Sequence, residues 1–315
     1  MDRNSIYYQQ VQLLIDVLPF IARHDCFALK GGTAINLFVR DLPRLSVDID
    51  LVFLPDYERE AALHEIKTSL DVIATDLTNE LRNVSVNKAY QQSTDALRLL
   101  VDRDTKNRKV QIKVELSPVL RGTVYSPRTI PVKEMVESEF GFAEISVVDL
   151  ADLYAGKICA ALDRQHPRDL FDIKLWLEQE GLTEKVRKAF IIYLISHSRP
   201  ISELLQPTLK DISSIYESEF QSMTEMDISL VELEHTRKKL IELIQTKLTD
   251  KEREFLLTFK ARNPNWGLLG LEQAEQIKKL PAVRWKLHHL NQMRDDKHQV
   301  ALEKLAAILF PTTSD

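Results

Sequence analysis

Two aspartates stand at alternate positions in an apolar stretch of the sequence. Asp48 and Asp50 flank Ile49 in SVDIDLVF. Aspartate disfavours strands, and alternate residues of a strand point to the same face, so a strand here sets two negative charges side by side. The pair therefore predicts a cation between the two carboxylates. Mg²⁺ or Mn²⁺ is expected, because both accept oxygen ligands and share them with substrate phosphates.

A pair of glycines comes shortly before the two aspartates. Gly31 and Gly32 follow the apolar stretch FALK, and a helical pattern begins at Thr33. Glycine lets the backbone approach a phosphate, and the first N–H groups of a helix attract anions. Thr33 is expected to cap the helix or offer its hydroxyl to phosphate. Ser46, which shares the face of Asp48, is expected to contact phosphate or metal-bound water. Together these residues predict a site for a nucleoside triphosphate and its metal; a plain strand–turn–helix joint is the alternative.

A lysine and an aspartate later in the chain form a second candidate group. Lys157 lies beside the apolar stripe of DLADLYAGKICAALDR, where its cation could reach the triphosphate or simply extend into solvent. Asp172 stands among apolar residues in RDLFDIKLW, so its burial requires a partner, and Lys157 or Arg168 would serve. Arg164, Arg168 and Asp169 predict a salt-bridged joint between two helices, with Arg168 near phosphate as the functional alternative.

The elements that must position these residues change character along the chain. A helical pattern at 5–24 precedes strand patterns in FALK and in the Asp48–Asp50 stretch. A further helical pattern and three strand patterns follow, with RDTKNR as a charged hairpin tip. From about Gly181 onward only helical patterns occur. The sequence predicts an α+β fold, with an α/β domain over 1–180 and an all-helical domain over 181–315.

Composition limits the classes of function. The chain has 315 residues, a formal net charge of −5 and two cysteines, and its histidines form no zinc motif. No apolar run approaches the roughly 18 residues that span a bilayer. A cytoplasmic protein without membrane contact is expected.

An acidic chain needs a local basic surface to hold RNA, and KKLPAVRWKLHHL provides a candidate: Lys278, Lys279, Arg284 and Lys286 beside Trp285. A solvated helix face is the alternative.

The blocks GGTAINLF…RLSVDIDLVF and DLYAGKICAALDRQHPRDLFDIKLWL together resemble the AbiEii/AbiGii-type toxins. These are nucleotidyltransferases of the DNA-polymerase-β-like superfamily, found in toxin–antitoxin and abortive-infection systems of phage defence. The resemblance implies transfer of a nucleotide from an NTP to an acceptor, which in related toxins is tRNA, and it implies a cognate antitoxin partner. It matches Lys157 and Asp172 to a conserved lysine and aspartate, with Asp172 orienting the lysine or acting as base. The wider superfamily commonly has a third carboxylate on an adjacent strand, which makes Glu115 the candidate for a third metal ligand or base. AbiEii-like proteins often depart from that pattern, and an ordinary exposed strand residue is the alternative.

Two other classes of function use the same residues. A non-catalytic module could keep the fold and bind only nucleotide or a protein partner. A phosphotransferase could send the γ-phosphate to a hydroxyl group, with a different leaving group. The joint presence of Asp48, Asp50, Lys157 and Asp172 favours an enzyme, because a scaffold has no need of them.

Overall fold

The computed structural model describes residues 3–91, 97–105 and 108–311. The chain divides into two compact units. The sheet unit comprises Met1–Asp149 with Gln221–Asp227, and the helical unit comprises Leu150–Phe220 with Ile228–Asp315. This division falls before the domain boundary expected near residue 180, and the extent of independently folding domains stays a prediction. The expected hairpin tip at Lys106 and Asn107 lies outside the described residues.

A mixed sheet of seven strands forms the centre of the described part of the sheet unit. The strands are β1 (Phe27–Lys30), β2 (Asp48–Phe53), β3 (Val84–Lys88), β4 (Arg98–Asp104), β5 (Lys109–Leu116), β6 (Arg128–Pro131) and β7 (Glu144–Val147). Their spatial order is β3-β4-β5-β2-β1-β7-β6. β2 pairs in parallel with β5 and antiparallel with β1. Its central position places residues from both neighbours beside Asp48 and Asp50.

Alternating side chains explain why these segments form strands. In β5, Val110, Ile112 and Val114 are buried, whereas Lys113 between them is exposed. A strand with one apolar face stays in register because a slip by one residue would bury its polar face. This register leaves the opposite face of the sheet free to carry polar residues.

Four α-helices accompany the sheet in the described part of the sheet unit. They are α1 (Ile6–Ala22), α2 (Gly31–Thr33), α3 (Arg59–Glu80) and α4 (Glu134–Phe140). α1 packs on β5 and β7, and the Ser5 hydroxyl caps it by accepting a hydrogen bond from the Tyr7 N–H. α2 continues directly as a π-helix, Ala34–Val39. Short π-helical segments are uncommon and are often found at functional sites.

The described part of the helical unit contains ten α-helices. They are α5 (Leu150–Asp163), α6 (Pro167–Gln179), α7 (Glu184–Ser196), α8 (Ile201–Leu205), α9 (Ser213–Glu219), α10 (Leu230–Lys247), α11 (Asp250–Lys260), α12 (Ala274–Lys279), α13 (Pro281–Gln292) and α14 (Asp295–Leu309). α5 packs on α6 and α7, and Tyr154 stacks on Trp176 in its core. The expected α+β class, with an all-helical second half, is confirmed. None of the helices in the described ranges is long and apolar enough to cross a membrane.

Candidate active site

Asp48 and Asp50 begin the central strand and occupy the same face of the sheet. Both are half-buried, whereas Ile49 between them is fully buried. Asp48 is in register with Lys113 of β5. Asp50 is in register with Glu115 on one side and with Lys30 of β1 on the other. The strand expected from the sequence is therefore present, and it brings two carboxylates to one accessible face.

The glycine pair lies directly against this row of polar side chains. Gly31 has φ +75°, a left-handed conformation that glycine adopts without steric cost. A Cβ atom on Gly31 would lie 2.5 Å from the Asp50 Oδ2 atom. A Cβ atom on Gly32 would lie 2.8 Å from Arg44 Nη2 and 3.0 Å from Ser46 Oγ. Both glycines are therefore required by the close approach of the backbone to polar side chains.

Thr33 joins the glycine turn to the strand. Its hydroxyl lies 3.0 Å from Ser46 Oγ and 2.5 Å from the carbonyl oxygen of Asp48, to which it donates. The expectation that Thr33 caps the helix is wrong, because the helix begins at Gly31 and Lys30 holds the capping position without a side-chain bond. The left-handed Gly31 permits this earlier start. Thr33 thus ties the turn to the backbone of Asp48, and its contact with a phosphate stays a prediction.

Glu115 lies on the strand next to Asp50 and has a cationic neighbour of its own. Arg98 of β4 is in register with Glu115 and forms a salt bridge with it. Among the residues that the structure describes, no three His, Cys, Asp or Glu side chains form a group that could hold a metal ion. The role of Glu115 as a third ligand or base stays a prediction.

Asp48 and Asp50 nevertheless fit a hard divalent cation. Two half-buried carboxylates share one face, and the Asp50 carboxylate packs directly against the backbone of Gly31, which has no Cβ. Mg²⁺ usually takes one or two carboxylates from the protein and completes its coordination with water and substrate phosphates. A site with two protein carboxylates is therefore sufficient for a metal that arrives with a nucleotide.

In the helical unit, Lys157 of α5 binds two buried aspartates of α6. Its ammonium lies 2.9 Å from Asp169 Oδ1 and 2.9 Å from Asp172 Oδ2. All three residues are at least 95% buried. Arg164 adds a second cation to Asp169, with Nη2 2.9 Å from Oδ1. The expected pairing of Lys157 with Asp172 is present. Asp169 is a further partner of Lys157, whereas the sequence placed it with Arg164 and Arg168.

The two cations control the charge of Asp169. Burial by itself raises the pKa of Asp169, but Lys157 and Arg164 outweigh burial and hold the pKa well below its usual range. A depressed carboxyl pKa means that this ion pair contributes its full stability above the unfolded pKa of about 4. That contribution is lost as the pH falls through the lower folded value. Asp169 is therefore charged at neutral pH.

Arg168 does not join this cluster. Its Nη2 lies 3.8 Å from Glu219 of α9, and its backbone N–H donates to His166 Nδ1. The expected joint of Arg164, Arg168 and Asp169 is thus correct for Arg164 and wrong for Arg168, which stands in the first turn of α6 and meets α9 instead. Its contact with a nucleotide phosphate stays a prediction.

Lys286 is not part of the basic surface that was expected on α12 and α13. The Lys286 ammonium donates to the carbonyl oxygens of His197, Ser198 and Arg199 at 2.6, 3.3 and 2.8 Å. It therefore stabilises the end of α7, where the helix dipole favours a cation, and is not available to RNA. Lys279, Arg284 and Trp285 remain exposed, and the centroid of the Trp285 ring lies 4.2 Å from that of His289 in a tilted arrangement.

Comparisons with known proteins bear on the family and on the fold. A family model described as nucleotidyl transferase AbiEii toxin, type IV toxin–antitoxin system, matches residues 12–289. The fold is similar to MenT4, a nucleotidyltransferase toxin from Mycobacterium tuberculosis H37Rv, with a TM-score of 0.62 and 14% identity over 92% of this chain and 95% of that one. JHP933 from Helicobacter pylori aligns with a TM-score of 0.46 and 17% identity over 91% and 97% of the two chains. No curated protein sequence matches.

Proposed function

The chain belongs to the AbiEii family of nucleotidyltransferase toxins of type IV toxin–antitoxin systems, and we propose that it transfers a nucleotide from an NTP to an RNA. The proposed acceptor is tRNA, whose modification would block translation as part of abortive infection and phage defence. The family implies an antitoxin partner. A tRNA acceptor makes the cytoplasm the proposed site of action.

One observation supports this proposal above the others. The glycine turn packs against the same extended segment that carries Asp48 and Asp50, with Gly31 meeting Asp50 and Gly32 meeting Ser46. A backbone free of side chains, a hydroxyl and two carboxylates thus lie together on one face. These are the groups that bind a triphosphate and its metal for in-line displacement.

Each group of residues has its own role in the proposed reaction. Asp48 and Asp50 would hold Mg²⁺ or Mn²⁺, which when bound would neutralise charge on the phosphates. The glycine turn would orient the phosphate chain, with Ser46 as a hydroxyl contact. An acceptor hydroxyl would give up its proton to a base, for which Glu115 and Asp172 are the candidates, and attack the α-phosphorus. The bond between the α-phosphorus and the bridging oxygen of the β-phosphate then breaks, and pyrophosphate leaves. We propose Lys157 and Asp172 as catalytic residues on the strength of the family resemblance, and Arg168 as a nucleotide contact.

Label transfer distinguishes nucleotidyl transfer from transfer of the γ-phosphate. The protein is incubated with total RNA, Mg²⁺ and each NTP, labelled either at the α- or at the γ-phosphate. Nucleotidyl transfer predicts that α-label enters RNA and γ-label leaves as pyrophosphate. Entry of γ-label into RNA would instead establish a phosphotransferase, and no transfer of either label into RNA would contradict the proposal.

Gly31→Ala should abolish most of the activity at a modest cost in stability. The left-handed backbone costs an L-residue about 1 kcal/mol, and the new methyl group must also displace the Asp50 carboxylate. Gly181→Ala is the matched control, because Gly181 has φ +68° and a Cβ there meets no atom within 4 Å. The unfolding temperature should fall in both variants, and further in Gly31→Ala because of the displaced carboxylate. Label transfer per folded molecule should fall only in Gly31→Ala. Equal activity in the two variants would show that the turn is not part of the site.

The acceptor surface is tested by salt dependence. Lys279→Ala/Arg284→Ala should flatten the slope of log affinity for tRNA against log salt by roughly 1.5 to 2 units, because each phosphate contact releases counterions. Lys297→Ala/Lys304→Ala removes the same charge from exposed positions on α14 and is the control. NTP affinity should not change in either variant. An unchanged slope in the first variant would place the RNA elsewhere.

A further inference from the structure

The loop that precedes β2 holds a second part of the polar row. Arg44 and Ser46 stand at alternate positions ahead of Asp48 and Asp50, and the side chains of both approach the backbone of Gly32. Arg44 is 3% exposed, and its guanidinium donates to the carbonyl oxygen of Leu45 at 2.8 Å. The position of this loop therefore determines which side chains contact the glycine turn.

The same loop contains a strained residue. Leu42 has φ +58°, a left-handed conformation that costs a residue with a Cβ roughly 1–2 kcal/mol. Its N–H donates to the carbonyl oxygen of Asn36 in the π-helix at 3.0 Å. Strain of this kind persists only when surrounding contacts hold it in place. The loop is thus expected to relax if its contacts are removed.

The contacts that hold the loop come from a distant part of the sequence. The Thr224 hydroxyl donates to the carbonyl oxygen of Pro43 at 2.8 Å. The Leu45 N–H donates to the carbonyl oxygen of Met223 at 2.7 Å. These two bonds bracket Arg44, and Met223 itself is buried. Residues 221–227 belong to the sheet unit although the chain around them belongs to the helical unit.

We propose that Thr224 is a positioning residue of the active site. Through its bond to Pro43, and together with the neighbouring Met223 carbonyl that accepts from Leu45, it keeps Arg44 and Ser46 against Gly32. The glycine turn and Asp48 then keep the geometry needed for the triphosphate. A displacement of about 1 Å in such a site costs up to a hundredfold in rate. This inference rests on the proposed function for its catalytic consequence, whereas its structural consequence is independent of it.

The first test is structural. Thr224→Val keeps the shape of the side chain but loses both the donor to Pro43 and the acceptor of the Met226 N–H. Amide hydrogen exchange should therefore become about tenfold faster or more at Leu45 and in Gly31–Val39. Thr224→Ser keeps the hydroxyl and should exchange like the wild type. The control is Thr78→Val, which removes a comparable hydroxyl-to-carbonyl bond within α3. Unchanged exchange at Leu45 in Thr224→Val would overturn the proposal.

The second test is catalytic and uses the full chain. Thr224→Val should lower kcat/KM for nucleotide transfer by about tenfold, Thr224→Ser should restore it to within about threefold, and Thr78→Val should leave it unchanged. A merely structural role would lower activity only in proportion to the unfolded fraction, measured by thermal unfolding of the same samples. Faster exchange with unchanged kcat/KM would overturn the positioning role. Absence of transfer by the wild type would instead contradict the proposed function.

Discussion

Asp48→Asn or Asp50→Asn should lower nucleotide transfer by a factor of about a hundred or more while leaving the protein folded. The charge stabilisation of a metal-bound phosphoryl group amounts to several kcal/mol, and about 2.7 kcal/mol already corresponds to a hundredfold. Asparagine keeps the shape of aspartate but removes the negative charge that a cation requires. Both residues start β2 on one accessible face, so neither substitution disturbs the core.

A stability measurement distinguishes loss of the metal site from misfolding of the variant. Removing one of two like charges on a strand face relieves repulsion. The unfolding temperature of either variant should therefore equal that of the wild type or lie slightly above it. Asp104→Asn is a suitable control, because Asp104 is an exposed strand aspartate at the end of β4. It should keep full activity. Full activity in both Asp48→Asn and Asp50→Asn would exclude the two-aspartate metal site.

Lys157→Ala should destabilise the helical unit by about 3–5 kcal/mol. The substitution leaves Asp169 and Asp172 buried next to each other without the ammonium that lies 2.9 Å from each, and breaking a buried ion pair on one side costs this much. Urea unfolding is the measurement. Lys174→Ala on α6 is the control, since Lys174 pairs with Glu178 at the surface, and such a pair contributes only about 0–1 kcal/mol.

The same variant also tests the catalytic role assigned to Lys157. Activity is measured per folded molecule at a temperature where circular dichroism shows the variant to be native. A catalytic lysine predicts a further loss corresponding to about 2–4 kcal/mol, as for other preorganised charges. Full activity per folded molecule would leave Lys157 with a structural role alone. A loss of stability no larger than that of Lys174→Ala would contradict the buried triad.

Local patterns were sufficient for the parts of the site that lie close together in sequence. Asp48 and Asp50 could be assigned to one face because alternation in a strand depends only on neighbouring residues. The glycine turn could be assigned to the same site because its consequences, close approach and free N–H groups, follow from the residue type. The period of two also extends back through Ser46 to Arg44, and this signal could have identified Arg44.

Contacts between distant residues could not be read from these patterns. Asp169 joins Lys157 because of how α5 and α6 pack, which periodicity within each helix does not determine. The bond between Thr224 and Pro43 spans most of the chain. Lys286 resembled a surface lysine because its cluster is basic, but its ammonium meets three carbonyl oxygens at the end of α7. Such partners depend on tertiary structure alone.

Binding of Mn²⁺ together with a non-hydrolysable NTP tests the central claim, that the glycine turn and the two aspartates hold a metal-bound triphosphate. Electron paramagnetic resonance counts bound Mn²⁺ in wild type, Asp48→Asn/Asp50→Asn and Asp104→Asn, each with and without the nucleotide analogue. We expect one nucleotide-dependent Mn²⁺ in the wild type and in Asp104→Asn, and none in the double variant. Nucleotide-dependent Mn²⁺ binding that persists in Asp48→Asn/Asp50→Asn would contradict the claim.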